Sequence, residues 1–411
     1  MASMKNAGRT IAKGLAATAL TSLIMVGAVR AQTDEPIRIG MIYSKQGPGS
    51  SIGQFLQRGS ELAIQQIGGK VLGRKIEFIW LDESDPQGSQ QNMQRLVEEN
   101  KVVAVVGGNY SSNALAMMGV ANRAKIPLIL TGAAASEITG KSCNRYTFRV
   151  QGTVPVQTNG LMPYIASIGK KVYFLTASYA FGQDILRSSR AELKKNGMTE
   201  VGNDEVPINT ADYSSYVLKI RQAKPDAIIG GLVGGDFSNY LKQSNEMGMK
   251  DKIPFGAIAV TDTDFWDVGP QASTGIYVKP WYYNNPKNTA AEKAMTEAFE
   301  KKFGQPPSDK TWSGWIGMRA LLEAIEAAKS TKSQDIVTAL EKWKNTDGAL
   351  PFYFRAWDHQ LVRPSVIVQV KKNITDKWDF FDVLKDTTST ADETEKAFGS
   401  KEEVGCNMPS L

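Results

Sequence analysis

A single histidine and two cysteines in 411 residues exclude most of the side-chain chemistry on which enzymes and metalloproteins rely. His359 lies in Trp357-Asp358-His359-Gln360, and no GxSxG elbow or reactive-cysteine signature accompanies it. An Asp-His pair with no nucleophile to serve reads as structural, and the chain as no enzyme. Cys143 and Cys406 are too far apart for a CxxC motif, and no EF-hand loop occurs, so neither a metal nor a cofactor is expected. The densest acidic cluster, residues 81–86, follows an apolar run and reads as a turn and helix cap through Ser84 and Asp85. The glycine-rich turns at 107–112 and 230–236 match neither GxGxxG nor a phosphate loop with its Lys-Ser/Thr, which argues against a nucleotide.

Long hydrophobic runs are also scarce. The run at residues 14–29 follows Lys5, Arg9 and Lys13 and ends in Val29-Arg30-Ala31, the pattern of a secretory signal peptide cleaved after Ala31. It is shorter than the roughly 20 residues that a bilayer span needs. The expected location is therefore the periplasm. Residues 1–31 hold four basic residues and no acidic one, so the formal charge of +6 falls to +2 without them. With charges of both signs interspersed, the remainder carries no electrostatic footprint for nucleic acid. Its two cysteines suggest one disulfide in an oxidising compartment, two unpaired thiols being the alternative. A Cys143–Cys406 bridge would hold down the polar segment 386–411.

The remainder, 32–411, is long enough for two domains. Residues 37–43, 76–81, 102–106 and 126–130 read as buried parallel strands, and 54–67, 88–99 and 111–123 as the helices between them. The alternation restarts beyond 152–155, with strands at 171–176, 200–206 and 227–230 and helices at 184–195, 213–222 and 237–247. A strand at 276–279, helices at 290–303, 312–329 and 333–343, and strands at 352–354 and 365–370 complete the pattern. The expectation is α/β: two doubly wound three-layer lobes. The turns at 107–112 and 130–136 follow neighbouring strands, and in such a sheet they converge on one crevice. There free backbone N–H groups and the Ser111 and Ser112 hydroxyls suit a carboxylate.

Gly47-Pro48 followed by Gly53, the 82–86 turn, Gly107 to Ser112, Thr131 to Thr139 and Tyr179-Ala180-Phe181-Gly182 occur in one order. In that order and spacing the chain resembles the leucine/isoleucine/valine-binding proteins of bacterial ABC importers over residues 36–385. The resemblance implies two lobes joined by three crossovers and closing on a ligand. One lobe takes 36–151 plus 279–350, the other 152–278 plus 351–385, with 386–411 a tail. It implies that Ser111 holds the ligand carboxylate by hydroxyl and amide, helped by backbone at Gly132 and by position 134. Here 134 is Ala where the family has Thr, the position of the acidic residue that neutralises an α-amino group falls on Ile258, and its aromatic helper falls near Leu232 or Val233. Asp262 or Asp264 would rescue an amine only if the loop is re-routed. The expected lining is Tyr43, Ile52, Tyr110, Ser111, Ser112, Gly132, Ala133, Ala134, Phe181, Leu232, Ile258 and Trp281. Leucine-binding relatives join the acidic turn to the Gly-Ser turn by a disulfide, where this chain has Ser84 and Tyr110. A branch with a Cys-x-Met-Pro tail matches Cys406-Asn407-Met408-Pro409 and implies the Cys143–Cys406 bridge.

An unpartnered ammonium is costly to bury, so the apolar residue at 258 points to an aromatic or other hydrophobic carboxylate. Branched-chain amino acids are the alternative. The expected partners are that small carboxylate and an inner-membrane ABC permease, with the protein monomeric. An extracellular sensor domain and an exported hydrolase are the rival readings; the first needs a membrane span after the domain, the second a nucleophile.

Overall fold

The computed structural model describes residues 35–408; the signal-peptide reading of 1–31 and the last three residues lie outside them. Chain order gives β1 (Ile37–Tyr43), α1 (Ser50–Gln66), β2 (Lys70–Val71), β3 (Arg74–Asp82), α2 (Pro86–Glu98), β4 (Ala104–Gly107), α3 (Ser111–Ala124), β5 (Leu128–Leu130) and β6 (Thr147–Arg149). These strands form a sheet in the order β2-β3-β1-β4-β5-β6, parallel except where β2 meets β3. Ile37, Ile39, Met41 and Ile42 of β1 are all fully buried, because helices cover both faces of the sheet.

The chain then leaves for a second sheet through α4 (Val154–Ile168), β7 (Lys171–Ala177), α5 (Ala180–Lys195), β8 (Thr199–Val206), α6 (Ser214–Ala223), β9 (Ala227–Gly231), α7 (Gly235–Glu246), β10 (Phe255–Ile258), α8 (Asp262–Val268) and β11 (Ile276–Lys279). It returns to the first lobe as α9 (Ala290–Phe303), α10 (Asp309–Ala328) and α11 (Ser333–Glu341). Gly59 of α1 and Gly314 of α10 let these two helices touch: a Cβ on either would lie 2.0 Å from a carbonyl oxygen of the other helix. The antiparallel ribbon β12 (Lys344–Asn345), β13 (Phe352–Phe354) and β14 (Leu361–Val362) follows, and Phe352, Phe354 and Leu361 pack in the first lobe's core. Of the segment 351–385, read from sequence as second-lobe, only the part from Val366 onward packs in the second core.

A third crossing leads to β15 (Val366–Val370) and β16 (Phe381–Asp386), which add antiparallel edges to a sheet ordered β16-β15-β11-β10-β9-β7-β8. Two α/β lobes joined by three crossovers match the sequence expectation. The polar tail is more structured than its composition suggested. It forms α12 (Ala391–Ala397) and α13 (Lys401–Val404), and Cys406 is bonded to Cys143 with Cα atoms 5.7 Å apart. Phe398 of the tail packs on Val156 and Val362, and Arg355 donates to the carbonyls of Phe398 and Gly399. The tail thus starts on the second sheet and is anchored to the first lobe.

Candidate functional site

The strand ends of the first sheet build a polar shelf. Glu83, just beyond β3, accepts the Asn109 and Tyr110 N–H groups at 2.7 and 2.8 Å, tying the acidic turn to the start of α3. This carboxylate joins the two turns that a disulfide was expected to link in leucine-binding relatives. Burial pushes its pKa up to about 8, the two N–H groups offsetting only part of that. The N–H groups of Gly132 and Ala133 donate to the Gly108 carbonyl, and the Ala135 N–H donates to Ser111 Oγ at 3.2 Å. The Ser111 hydroxyl proton therefore remains available at the positive end of a 14-residue helix.

From α1 and the strand ends of the first lobe, Ile52, Asn109, Ser111, Gly132 and Ala134 line the cleft. Tyr179, Phe181, Val233 and Ala259 close it from the second lobe, and Lys310 reaches in from the first turn of α10. With the lobes closed the free space is small, about 20 Å³. Its polar side chains are Asn109, whose Nδ2 is buried without a partner among the described residues, Ser111, Tyr179 and Lys310, each able to donate. No carboxylate is among the lining residues.

The lobes are shut over this space. The Gly235 N–H donates across the cleft to the Pro48 carbonyl at 3.1 Å, and the Tyr110 and Tyr179 rings meet edge to face at 5.8 Å. Ser136 of the first lobe donates its N–H and hydroxyl to Asp184 of α5, at 2.5 and 3.0 Å. Beside the crossovers, α8 and α10 exchange caps: the Asp309 N–H donates to Asp262 Oδ2 and the Asp262 N–H to Asp309 Oδ1. Lys279 lies between those carboxylates, 3.0 Å from Asp262 and 3.3 Å from Asp309.

Of the residues expected from sequence, Ile52, Ser111, Gly132, Ala134 and Phe181 line the cleft. Tyr110 caps the neighbouring helix, and Ser112, in that helix's first turn, lies outside the lining. Tyr43 is in the core, its hydroxyl bonded to Ser60 and Thr131, because its side chain faces the helices. Ala133 and Trp281 are core residues for the same reason. Leu232 and Ile258 point into second-lobe cores, and each is displaced from the cleft by its successor, Val233 and Ala259. At Ala259 a positive φ of 57° turns the chain at the strand end. Neither candidate amine partner faces the space: Asp262 is engaged by Lys279, and Asp264 accepts the Thr261 N–H in a capping box. Burial raises both, to about 6 and about 7.

Asn109, Tyr179, Val233, Ala259 and Lys310 complete the lining. Asn109 and Tyr179 lie within motifs singled out in the sequence but were not placed in the expected lining, whereas Lys310 gave no local signal. His359 is structural, stacked on Phe148 at 3.9 Å and held between Glu341 and the Thr147 carbonyl.

Two α/β lobes closed on a small cavity at their strand ends have the architecture of a solute-binding protein. The chain belongs to the periplasmic binding protein family, whose model matches residues 36–375. Its members are substrate-binding components of ABC transporters and carry out no catalysis. It is 27% identical over 348 residues to Leu/Ile/Val-binding protein homolog 8 of Brucella abortus (strain 2308), covering 80% of this chain and 85% of the relative. Among solved structures it is similar to a periplasmic binding protein from Burkholderia mallei, with a TM-score of 0.80 and 25% identity over 89% of this chain and 99% of the other. It is also similar to an ABC-transporter solute-binding protein from Rhodopseudomonas palustris BisB5 in complex with 3,4-dihydroxy benzoic acid. That match has a TM-score of 0.78 and 25% identity over 87% of this chain and 99% of the other. Family membership places the mature protein in the periplasm.

Proposed function

We propose that this protein, exported by cleavage after Ala31, captures a small hydrophobic organic acid, aromatic by preference, and delivers the closed monomeric complex to an inner-membrane ABC permease. The observation that carries this reading is the lining. Donors gather at one side of the cleft, Ile52, Ala134, Phe181, Val233 and Ala259 supply apolar surface, and no carboxylate is present to neutralise an α-ammonium. The R. palustris relative that holds 3,4-dihydroxy benzoic acid supports the same class. Contacts from both lobes favour closure only by as much as they bind the closed state better than the open one. The hinge falls at the three crossovers, near residues 150–154, 280–282 and 362–366.

A thermal-shift screen of refolded, ligand-free protein tests this, because a ligand selective for the native state stabilises it by RT ln(1 + [L]/Kd). Carboxylates raise Tm and amino acids leave it unchanged if the reading holds. The Leu/Ile/Val-binding names of the relatives favour the second reading, branched-chain amino acids. Stabilisation by leucine or valine alone would establish that reading instead.

A further inference from the structure

We propose that Lys310 is the specificity-determining residue of the cleft: its ammonium is the counter-ion of the ligand carboxylate, and it selects acids that lack an α-amino group. The proposal rests on the carboxylate reading above.

Lys310 is the only charged side chain among the lining residues, and it is 2% exposed. An ammonium carries three donors. Among the described residues its Nζ has one ion-pair partner, Asp309 Oδ2 at 3.3 Å. The other oxygen of that carboxylate, Oδ1, lies 3.3 Å from the Lys279 ammonium and accepts the Asp262 N–H at 3.2 Å, so one negative charge faces two ammonium groups. Lys279 has a second carboxylate in Asp262, whereas Lys310 has Asp309 alone, through Oδ2.

Its position adds a further cost. Lys310 lies in the first turn of the 20-residue helix α10, where the helix dipole presents its positive end. A buried cation there is opposed by desolvation and by the dipole together. An anion seated in the cleft offsets both, and the Asn109 Nδ2 and Ser111 hydroxyl stand on the same lining to share its oxygens. An α-amino acid would instead bring a second ammonium into a space that already holds one and offers no carboxylate.

The test uses the mature, ligand-free chain and matched acid–amide pairs: benzoate with benzamide, 3,4-dihydroxybenzoate with its amide, and hexanoate with hexanamide. In the wild type the acid of the best-bound pair should bind at least about tenfold tighter than its amide. Lys310→Gln should bring that ratio to within about twofold of unity, chiefly by weakening the acid. Lys310→Arg, which keeps the charge, should restore most of the preference. An acid preference that persists in Lys310→Gln overturns the proposal and leaves the carboxylate reading standing. A wild type that binds no acid above its amide overturns both. Should Lys310→Gln fail to fold, Asp309→Asn provides a second reading: with the competing anion gone, the acid-to-amide ratio rises, and a ratio that falls or stays level overturns the assignment.

Discussion

The two walls of the cleft are built from different chemistry on the same architecture. The first lobe offers small and polar residues at strand ends, Asn109, Ser111, Gly132 and Ala134, stitched together by backbone hydrogen bonds to Gly108 and Ser111. The second offers Tyr179, Phe181, Val233 and Ala259 from equivalent strand–helix turns. Both walls lie at the carboxyl ends of parallel strands, where doubly wound sheets place ligands. The first wall suits a fixed head group whose oxygens need aimed donors; the second suits a flat apolar body that only needs covering. Losses on the first wall should therefore alter which head group binds, and losses on the second how tightly any ligand binds.

The largest expected effect comes from preventing the walls from meeting. Gly234 has φ +60°, and a Cβ there would lie 2.4 Å from the Pro48 carbonyl across the cleft. Gly234→Val should lower affinity for every ligand by about a hundredfold or more through a clash present only when closed, while roughly 1–3 kcal/mol of backbone strain, common to both forms, lowers stability. Scattering of the variant with saturating ligand should report the open form; normal closure and affinity would show that this contact does not govern the hinge.

Covalent anchoring of the tail comes next. Cys143 and Cys406 close a loop of 263 residues, so replacing both by Ser should cost about 2–5 kcal/mol of unfolding free energy. Chemical denaturation measures it, and hydrogen exchange in residues 391–404 should rise first. Uniform exchange with no loss of stability would show that the Phe398 and Arg355 contacts hold the tail by themselves.

On the apolar wall, Phe181→Ala should weaken acid and amide ligands alike by roughly tenfold or more, because burial of an aromatic face is indifferent to the head group. On the polar wall, Ser111→Ala should cost about 1 kcal/mol, and acids should lose more than amides since a hydrogen bond to a charged acceptor is the stronger one. Equal losses from both variants across the two ligand classes would erase the division between the walls.

The last effect is on pH dependence and touches stability rather than affinity. Glu83 titrates near 8 in the folded chain against 4.5 for the free side chain. Between those values the native state keeps a proton that the unfolded state has released, so stability falls as pH rises through that window. Asp264, raised to about 7, contributes in the same sense. Glu83→Gln keeps the shape without the titration and should flatten, though not abolish, the decline of Tm between pH 4.5 and 8. An unchanged slope would place the dependence elsewhere.

Much of the α/β alternation was legible because buried parallel strands are runs of β-branched residues and their helices carry one apolar face. What escaped had physical reasons. Helix α4 contains Pro155 and Pro163 and reads as a boundary, although Thr153 caps it and Pro155 falls in the first turn, where no N–H is needed. Strand β10 spans only Phe255–Ile258, and the seven-residue α8 opens on acidic caps rather than an apolar stripe. At the site, the turns at 109–111 and 132–134 were readable from small residues after strands. Ile258 was one residue off, and of the alternatives Leu232 and Val233 it is the second that lines the cleft, since alternation past a strand end depends on a turn that composition does not reveal. Lys310 was invisible because a lysine in Ser308-Asp309-Lys310-Thr311 looks like a solvated helix start. Only packing of α10 beside the crossovers buries it.

The central claim is that the cleft takes a carboxylate and refuses an α-ammonium. Calorimetry on refolded protein with two pairs that differ only in that group, 3-phenylpropanoate against phenylalanine and 4-methylpentanoate against leucine, tests it most directly. The account predicts that within each pair the acid binds and the amino acid binds at least about a hundredfold more weakly, a difference of about 2.7 kcal/mol. Tighter binding of phenylalanine or leucine than of its deaminated partner would contradict it.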